Sequence, residues 1–161
     1  MKLEAATDGA LLLQEIPPFL FALLAEIPGR AASDDPRVGA RFFPDPAADD
    51  ELVEDWKSLV HPELQELFQS ARETVRADLR SASENDGTRA LRIPHNHTDA
   101  WLSALNQARL AITEESGFGE KDMAAEAAPN PEDPREMALF QVGFYGFLQE
   151  CLVRMICSDH G

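Results

Sequence analysis

Two histidines near the middle of the chain, in the segment PHNHTD, form its one local pattern of metal-ligand type. His95 and His97 are two residues apart, and on an extended backbone such side chains point to the same side, as a pair of metal ligands requires. Asp99 is the candidate third ligand, and His61 or His160 would join the site if the fold brings either one near. The spacing therefore predicts a metal site at His95, His97 and Asp99.

The same segment also has a structural interpretation. It lies where a strand gives way to a helix, and the first N–H groups of a helix need hydrogen-bond acceptors. Asn96 or Thr98 would supply such an acceptor as a helix cap. The sequence is compatible with both interpretations, a metal site and a helix cap.

Asn106 and Arg109 lie three residues apart in the segment WLSALNQARL, so they are neighbours on the surface of a helix. Arg109 projects between leucines there, and its guanidinium cannot lose its charge, so it needs a carboxylate or carbonyl groups. One interpretation is a fork that binds a carboxylate or a phosphate group. The other is a structural polar brace, with Arg109 substantially buried and paired to an acid or to helix-end carbonyls of another element.

The sequence offers few candidate residues for nucleophilic catalysis. Cys151 lies in an apolar stripe, which raises the pKa of a thiol and makes it inert. The sequence has no GxSxG motif, P-loop, Rossmann glycine pattern or HExxH motif. We therefore expect no cofactor, and we favour a protein that is not an enzyme.

The charge of the chain limits its partners. Among 161 residues, 29 are acidic and 14 are lysine or arginine, which gives a net charge of −15. Such a surface repels phosphate, so nucleic acids and anionic membranes are poor partners, whereas a basic protein would fit.

Cys151 and Cys157 cannot form a disulfide with each other within one helix, and no uncharged apolar run reaches the length of a membrane span. We expect a cytoplasmic protein with a single domain over residues 1–161.

The elements that must position these residues begin with strands. Residues 2–7 and 10–16 flank Asp8 and Gly9, a two-residue turn signal, and predict a hairpin. Residues 88–93 alternate in polarity and predict a third strand. We therefore expect a small three-stranded antiparallel sheet.

Apolar periodicity predicts about five helices around this sheet. They cover residues 17–27, 50–60, 62–82, 97–116 and 134–157. Segments rich in small residues, acids and prolines, near 30–48 and 117–134, predict flexible loops. Because the strands cluster apart from the helices, the fold class is α+β and predominantly helical.

The last predicted helix is apolar almost all round, so it is either buried centrally or shared with a second chain in a homo-oligomer. Gly143 and Gly146 would let another backbone approach it closely. The candidate interface residues are Phe140, Phe144, Phe147 and Met155.

At WLSALNQARL the chain resembles a bacterial family of domains of unknown function that is often encoded beside the adaptor of the Clp protease. Three further pieces follow the order of that family: the strand–turn–strand at Asp8 and Gly9, an RFFP element at residues 41–44, and YGFLQECLV at residues 145–153. The resemblance implies a shared fold and no particular reaction. The gene neighbourhood of the family implies a role in protein quality control.

These observations lead to two hypotheses. The first is a non-enzymatic protein-interaction or regulatory domain, linked by resemblance to Clp-type proteolysis and self-associating through its last helix. The alternative is a metal- or small-anion-binding enzyme that uses His95, His97 and Arg109.

Overall fold

A computed structural model describes residues 1–33, 38, 61–119, 130 and 132–159. Within these residues the fold is α+β and predominantly helical, as predicted. The strands are β1 (Lys2–Ala5), β2 (Leu11–Ile16), β3 (Ser83–Asn85) and β4 (Thr88–Ile93). The helices are α1 (Pro18–Ala25), α2 (Ile27–Ala31), α3 (His61–Arg80), α4 (Thr98–Ser116) and α5 (Pro134–Asp159), and a 3₁₀ turn spans His95–His97.

The counts of elements differ from the prediction. The described part of the chain has four strands, because β3 pairs with β4 although its three residues are polar and exposed and therefore show no alternation. It has four helices of at least eight residues, and the predicted helix over 50–60 and the RFFP element lie outside the described residues. Pro28 and Gly29 do not end a helix but lie in α2, which also includes Arg30 of the predicted loop. The remainder of the two predicted loops falls mostly outside the described residues.

The N-terminal hairpin is confirmed, although its connection is longer than the predicted two residues. The N–H of Ala6 donates to the carbonyl of Ala10 at 2.8 Å, which leaves residues 7–9 as the connection. Gly9 has a φ of +86°, the left-handed conformation that closes a three-residue hairpin loop. The Asp8 carboxylate accepts from the N–H of Ala10 at 3.2 Å and stabilises the turn.

The sheet has the order β1-β2-β4-β3 and is antiparallel throughout. Its centre is the pairing of β2 with β4, in which Leu11 lies opposite Ile93 and Leu13 opposite Leu91. These four side chains are buried and belong to the same core cluster as the helices. The central strands therefore carry one apolar face, which packs under the helical layer.

Helix α4 is central to that layer, since it packs against α2, α3 and α5. The apolar face predicted for it is buried: the exposed fractions are zero for Trp101, Leu105 and Ala108 and 2% for Ile112. Periodicity determines this face because residues three and four apart lie above one another on a helix. None of the described helices has the length and apolar character that crossing a bilayer would require.

Helix α5 is buried on one side, although its sequence is apolar almost all round. The buried residues are Gln141, Val142, Phe144, Tyr145, Leu148 and Leu152. Of the four predicted interface residues, Phe144 belongs to the core, and Phe140 and Met155 are partly buried against it. Phe147 is 46% exposed. Of the four predicted interface residues, Phe147 therefore offers the most exposed apolar surface for the predicted self-association.

Tyr145 connects α5 to the end of α1 through a buried polar network. Its hydroxyl donates to the carbonyl of Leu23 at 2.5 Å and accepts from Nε2 of Gln141 at 2.8 Å. The same Gln141 amide donates to Glu26 at 2.6 Å. Burial raises the pKa of the Tyr145 phenol well above its ordinary value of 10.0, so the phenol stays in its neutral form at this buried position.

This raised pKa predicts a loss of stability in alkali. Above pH 10 the unfolded chain ionises Tyr145 but the folded chain does not, so the stability from this group is present below pH 10 and is lost as the pH rises. We expect the free energy of unfolding to fall by about 1.4 kcal/mol per pH unit there, relative to the Tyr145→Phe variant. Because Tyr145 is the chain's one tyrosine, tyrosinate absorbance reports it directly and should appear only together with the loss of helical circular dichroism. Titration near pH 10 with the helices intact would contradict this prediction.

Candidate functional site at an arginine-lined cleft

The two histidines of the predicted metal site do not share one side of an extended segment. They lie in the 3₁₀ turn, where the N–H of His97 donates to the carbonyl of Pro94 at 2.9 Å. With three residues per turn, side chains two positions apart point in different directions. The predicted geometry is therefore wrong, because the proline and the following turn replace the extended backbone that it assumed. The predicted caps are also absent: the N-cap position of α4 is His97, and no side chain caps it.

His97 instead joins a buried carboxylate. Its Nδ1 lies 2.9 Å from Oδ2 of Asp78 on α3, and Nε1 of Trp101 on α4 donates to the same oxygen at 2.8 Å. Asp78 is 8% exposed and Trp101 is fully buried. We call Asp78, His97 and Trp101 the carboxylate brace, because they connect α3 to the start of α4. No local sequence pattern predicted this contact, because Asp78 precedes His97 by 19 residues.

The other two predicted ligands lie elsewhere. The ring of His95 packs against Gly9 of the hairpin, where a Cβ atom would come 3.0 Å from Nδ1. Asp99 is exposed in the first turn of α4. Within residues 1–33, 38, 61–119, 130 and 132–159, no group of three or more His, Cys, Asp or Glu residues is placed to hold a metal ion. The side chain of His61 and the whole of His160 lie outside this part, and the metal site stays a prediction.

Arg109 is half-buried and contacts α5. Its Nη1 donates to Oε1 of Gln149 at 2.7 Å, so its partner is an amide and not the acid or helix-end carbonyl that we expected. Gly146 makes room for the guanidinium, since a Cβ atom there would lie 3.3 Å from Cζ of Arg109. Its Nε is buried without a hydrogen-bond partner in the structure. Asn106 is exposed and does not share this contact.

A cleft of about 380 Å³ opens between α1, α2, α3 and β4. Among the described residues, its charged lining consists of Arg76, Arg80 and Arg89. The other described residues that line it are Phe21, Ala25, Pro28, Gly29 and Leu79. We call this the arginine cleft, and it combines cationic and apolar surface within one small volume.

Helix periodicity brings two of these arginines together. Arg72, Arg76 and Arg80 are each four residues apart on α3 and therefore lie along one side of the helix. The third lining arginine comes from the sheet, where the Cζ of Arg89 lies 4.4 Å from the centroid of the Phe21 ring. Such a cation–π contact fixes the guanidinium over the aromatic face.

The positive charge of the cleft is only partly compensated. Arg89 has a carboxylate oxygen of Glu84 at 3.7 Å. For Arg76 and Arg80, no carboxylate of the described residues lies within 4.0 Å of the guanidinium nitrogens. Burial and the nearby charge of Arg76 lower the pKa of Arg72, so these side chains repel one another. In a chain of net charge −15, such a cluster is suited to bind an anion.

No local pattern in the sequence indicated this cleft. The spacing of RETVRADLR placed three arginines on one helix side, but nothing local indicated that Arg89 and Phe21 lie opposite them.

Both cysteines are free thiols, and burial raises the pKa of Cys151, as its apolar surroundings predicted.

One protein family matches this chain. The family model described as "Domain of unknown function (DUF2017)" matches residues 4–156. The chain belongs to this family. The DUF2017 match includes every residue of the carboxylate brace and of the arginine cleft, so both lie within the family's domain. No curated protein and no solved structure matches the chain.

Proposed function

We propose that this DUF2017 protein is a cytoplasmic, non-enzymatic protein-interaction domain that binds an acidic segment of its partner in the arginine cleft. The observation that carries the proposal is the pair Arg76 and Arg80, which lie beside Arg89 and have no ion pair in the described structure. Exposed guanidinium groups bind carboxylates through two parallel hydrogen bonds, which gives both energy and geometric specificity. The two free thiols are in keeping with a reducing compartment.

The acidic remainder of the surface makes binding depend on salt in an unusual way. At low ionic strength the net charge of −15 repels an acidic ligand over long distances. At about 0.1 M salt the screening length falls to about 10 Å, which removes most of this repulsion but leaves contact distances less affected. Affinity should therefore rise on the first addition of salt and fall at higher concentrations. A protein whose whole surface is positively charged would show only the decrease in affinity as salt is added.

Charge reversal in the cleft tests the proposal. We expect a fluorescein-labelled, glutamate-rich peptide to bind the native chain and to lose at least about tenfold in affinity in the Arg76→Glu/Arg80→Glu variant, because each charge-assisted hydrogen bond contributes about 1.5–3 kcal/mol. Fluorescence anisotropy measures both affinities. The matched control is Lys2→Glu/Arg154→Glu, which makes the same change of charge at two exposed cations outside the cleft.

Two results would refute the proposal. One is that the peptide fails to bind the native chain at any salt concentration. The other is that the cleft variant and the control weaken binding equally, since the effect would then come from net charge. Circular dichroism of each variant shows whether its fold is intact.

The resemblance to a family encoded beside the Clp adaptor gives the first partners to examine. We propose purified Clp adaptor and Clp ATPase as candidates, and the support for this choice is the genomic neighbourhood of similar proteins. The alternative, a metal- or small-anion-binding enzyme that uses His95, His97 and Arg109, is favoured instead if a divalent metal ion or inorganic phosphate binds the native chain, His97→Ala or Arg109→Ala abolishes that binding, and the purified Clp components do not bind.

A further inference from the structure

We infer that the segment recognised by the arginine cleft carries an anionic group directly beside an apolar side chain. This inference rests on the proposed function, which requires only that an acidic segment binds. It adds an apolar side chain to the acidic group of the ligand. The anionic group is either the carboxylate of Asp or Glu or the phosphoryl group of a phosphorylated Ser or Thr, since both offer oxygens to guanidinium donors.

The cleft has an apolar side that a purely acidic ligand would not use. Phe21 and Leu79 contribute the larger apolar side chains of the lining, and Ala25 and Pro28 contribute smaller ones. Leu79 is 9% exposed and continues into the core, whereas Phe21 is half-buried and keeps its ring under Arg89. Burying an apolar side chain of the ligand here removes both surfaces from water.

The charged and apolar groups lie at different depths. Arg76 and Arg80 are exposed, so they form the rim, while Leu79 is buried and forms the floor. A ligand that satisfies both must place its anion at the rim and an adjacent side chain inside. An acidic residue two positions from an apolar residue in an extended segment has this form, because side chains two positions apart point to the same side.

The volume of the cleft limits the ligand further. About 380 Å³ is near the lower end of the range for small-molecule sites. Such a volume holds one or two side chains. The ligand segment therefore enters the cleft by its side chains, and its specificity depends on the pair of residues at the cleft.

The donors at the rim exceed what one carboxylate can use. A guanidinium has five N–H donors, and Arg76 and Arg80 make no hydrogen bonds to other described residues. A carboxylate offers two oxygens, whereas a phosphoryl group offers three and more negative charge. Both sources fit the chemistry of the rim, and the experiment separates them.

Four labelled peptides of equal length test the inference. They differ only at two central positions that are separated by one alanine. These positions hold Glu and Leu, Glu and Ser, Gln and Leu, or phosphoserine and Leu, and the peptides are named Glu–Leu, Glu–Ser, Gln–Leu and phosphoserine–Leu. We expect Glu–Leu to bind at least about tenfold more tightly than Glu–Ser, because burial of the leucine side chain adds its transfer free energy. Gln–Leu should also bind at least about tenfold more weakly than Glu–Leu, since it lacks the anion. The order of phosphoserine–Leu and Glu–Leu identifies the source of the anion.

Two variants locate the apolar contribution. Phe21→Ala should remove most of the difference between Glu–Leu and Glu–Ser. Ala25→Trp fills the cleft from an exposed position at the end of α1 and should weaken Glu–Leu even if Phe21→Ala does not fold. Arg154→Gln, on the exposed side of α5, is the control and should leave all four affinities unchanged.

The outcomes distinguish this inference from the proposed function. Equal affinities for Glu–Leu and Glu–Ser, both lost in Arg76→Glu/Arg80→Glu, would overturn the inference and leave the proposed function standing. If none of the four peptides shows binding that depends on Arg76 and Arg80, the proposed function fails as well. Tighter binding of Glu–Leu that Phe21→Ala and Ala25→Trp both leave unchanged would place the apolar contact elsewhere and overturn the inference.

Discussion

Replacement of Trp101 by alanine is expected to lower the free energy of unfolding by about 4 kcal/mol, in the range for loss of a large buried aromatic side chain. Trp101 is fully buried in the first half of α4. The substitution opens a cavity in the core, and it also removes the N–H that the carboxylate of Asp78 accepts at 2.8 Å. Urea denaturation followed by circular dichroism measures the change by linear extrapolation.

Trp101→Phe separates the two contributions. It keeps an aromatic ring in the core but has no N–H for Asp78, so it should lose clearly less stability than Trp101→Ala. The remaining loss combines the smaller volume of the phenyl ring with a buried carboxylate that has lost one donor. Native stability in the alanine variant would show that Trp101 does not lie in the core.

Replacement of Asp78 by alanine is expected to lower the free energy of unfolding by about 2–3 kcal/mol. The variant leaves the indole N–H of Trp101 in the core without an acceptor, and leaving a buried donor unsatisfied costs about 1–3 kcal/mol. The contact of His97 with the same carboxylate is lost too. Asp78→Asn retains an acceptor oxygen and should recover part of the stability.

Asp99→Ala is the matched control for Asp78→Ala. Asp99 is exposed in the first turn of α4, so its removal should cost only about 0.3–1 kcal/mol through its interaction with the helix dipole. Equal losses at the two positions would contradict the carboxylate brace. If His95, His97 and Asp99 bind a metal ion instead, added zinc would raise the melting temperature of the native chain and Asp99→Ala would abolish that increase.

The net charge and the arginine cleft point to opposite kinds of partner. The value of −15 favoured a basic partner, whereas the proposed ligand is acidic. The difference arises because net charge sums over the whole surface, while recognition depends on charges within a few ångströms of the ligand. Arg76, Arg80 and Arg89 are a small part of the total charge, but they are the charged residues that line the cleft in the described part of the chain.

Local patterns were sufficient for much of the fold. The hairpin at Gly9, the strand Thr88–Ile93 and the buried face of α4 were predicted because turn residues and residues at fixed spacing act over a few positions of the chain. The strand Ser83–Asn85 was missed because it is polar and exposed, so only its pairing with β4 defines it.

The sequence by itself therefore determined the fold class, the main helices and strands, and membership of a family. Only the tertiary structure decided what the polar residues do. His97 contacts a carboxylate because α3 places Asp78 beside it, and Arg109 has an amide partner because α5 brings Gln149 to it. Arg76 and Arg80 line one cleft with Arg89 only because the sheet docks beside α3. The physical reason is that helix and strand periodicity fixes which side of an element a residue lies on, whereas its partner depends on how distant elements dock.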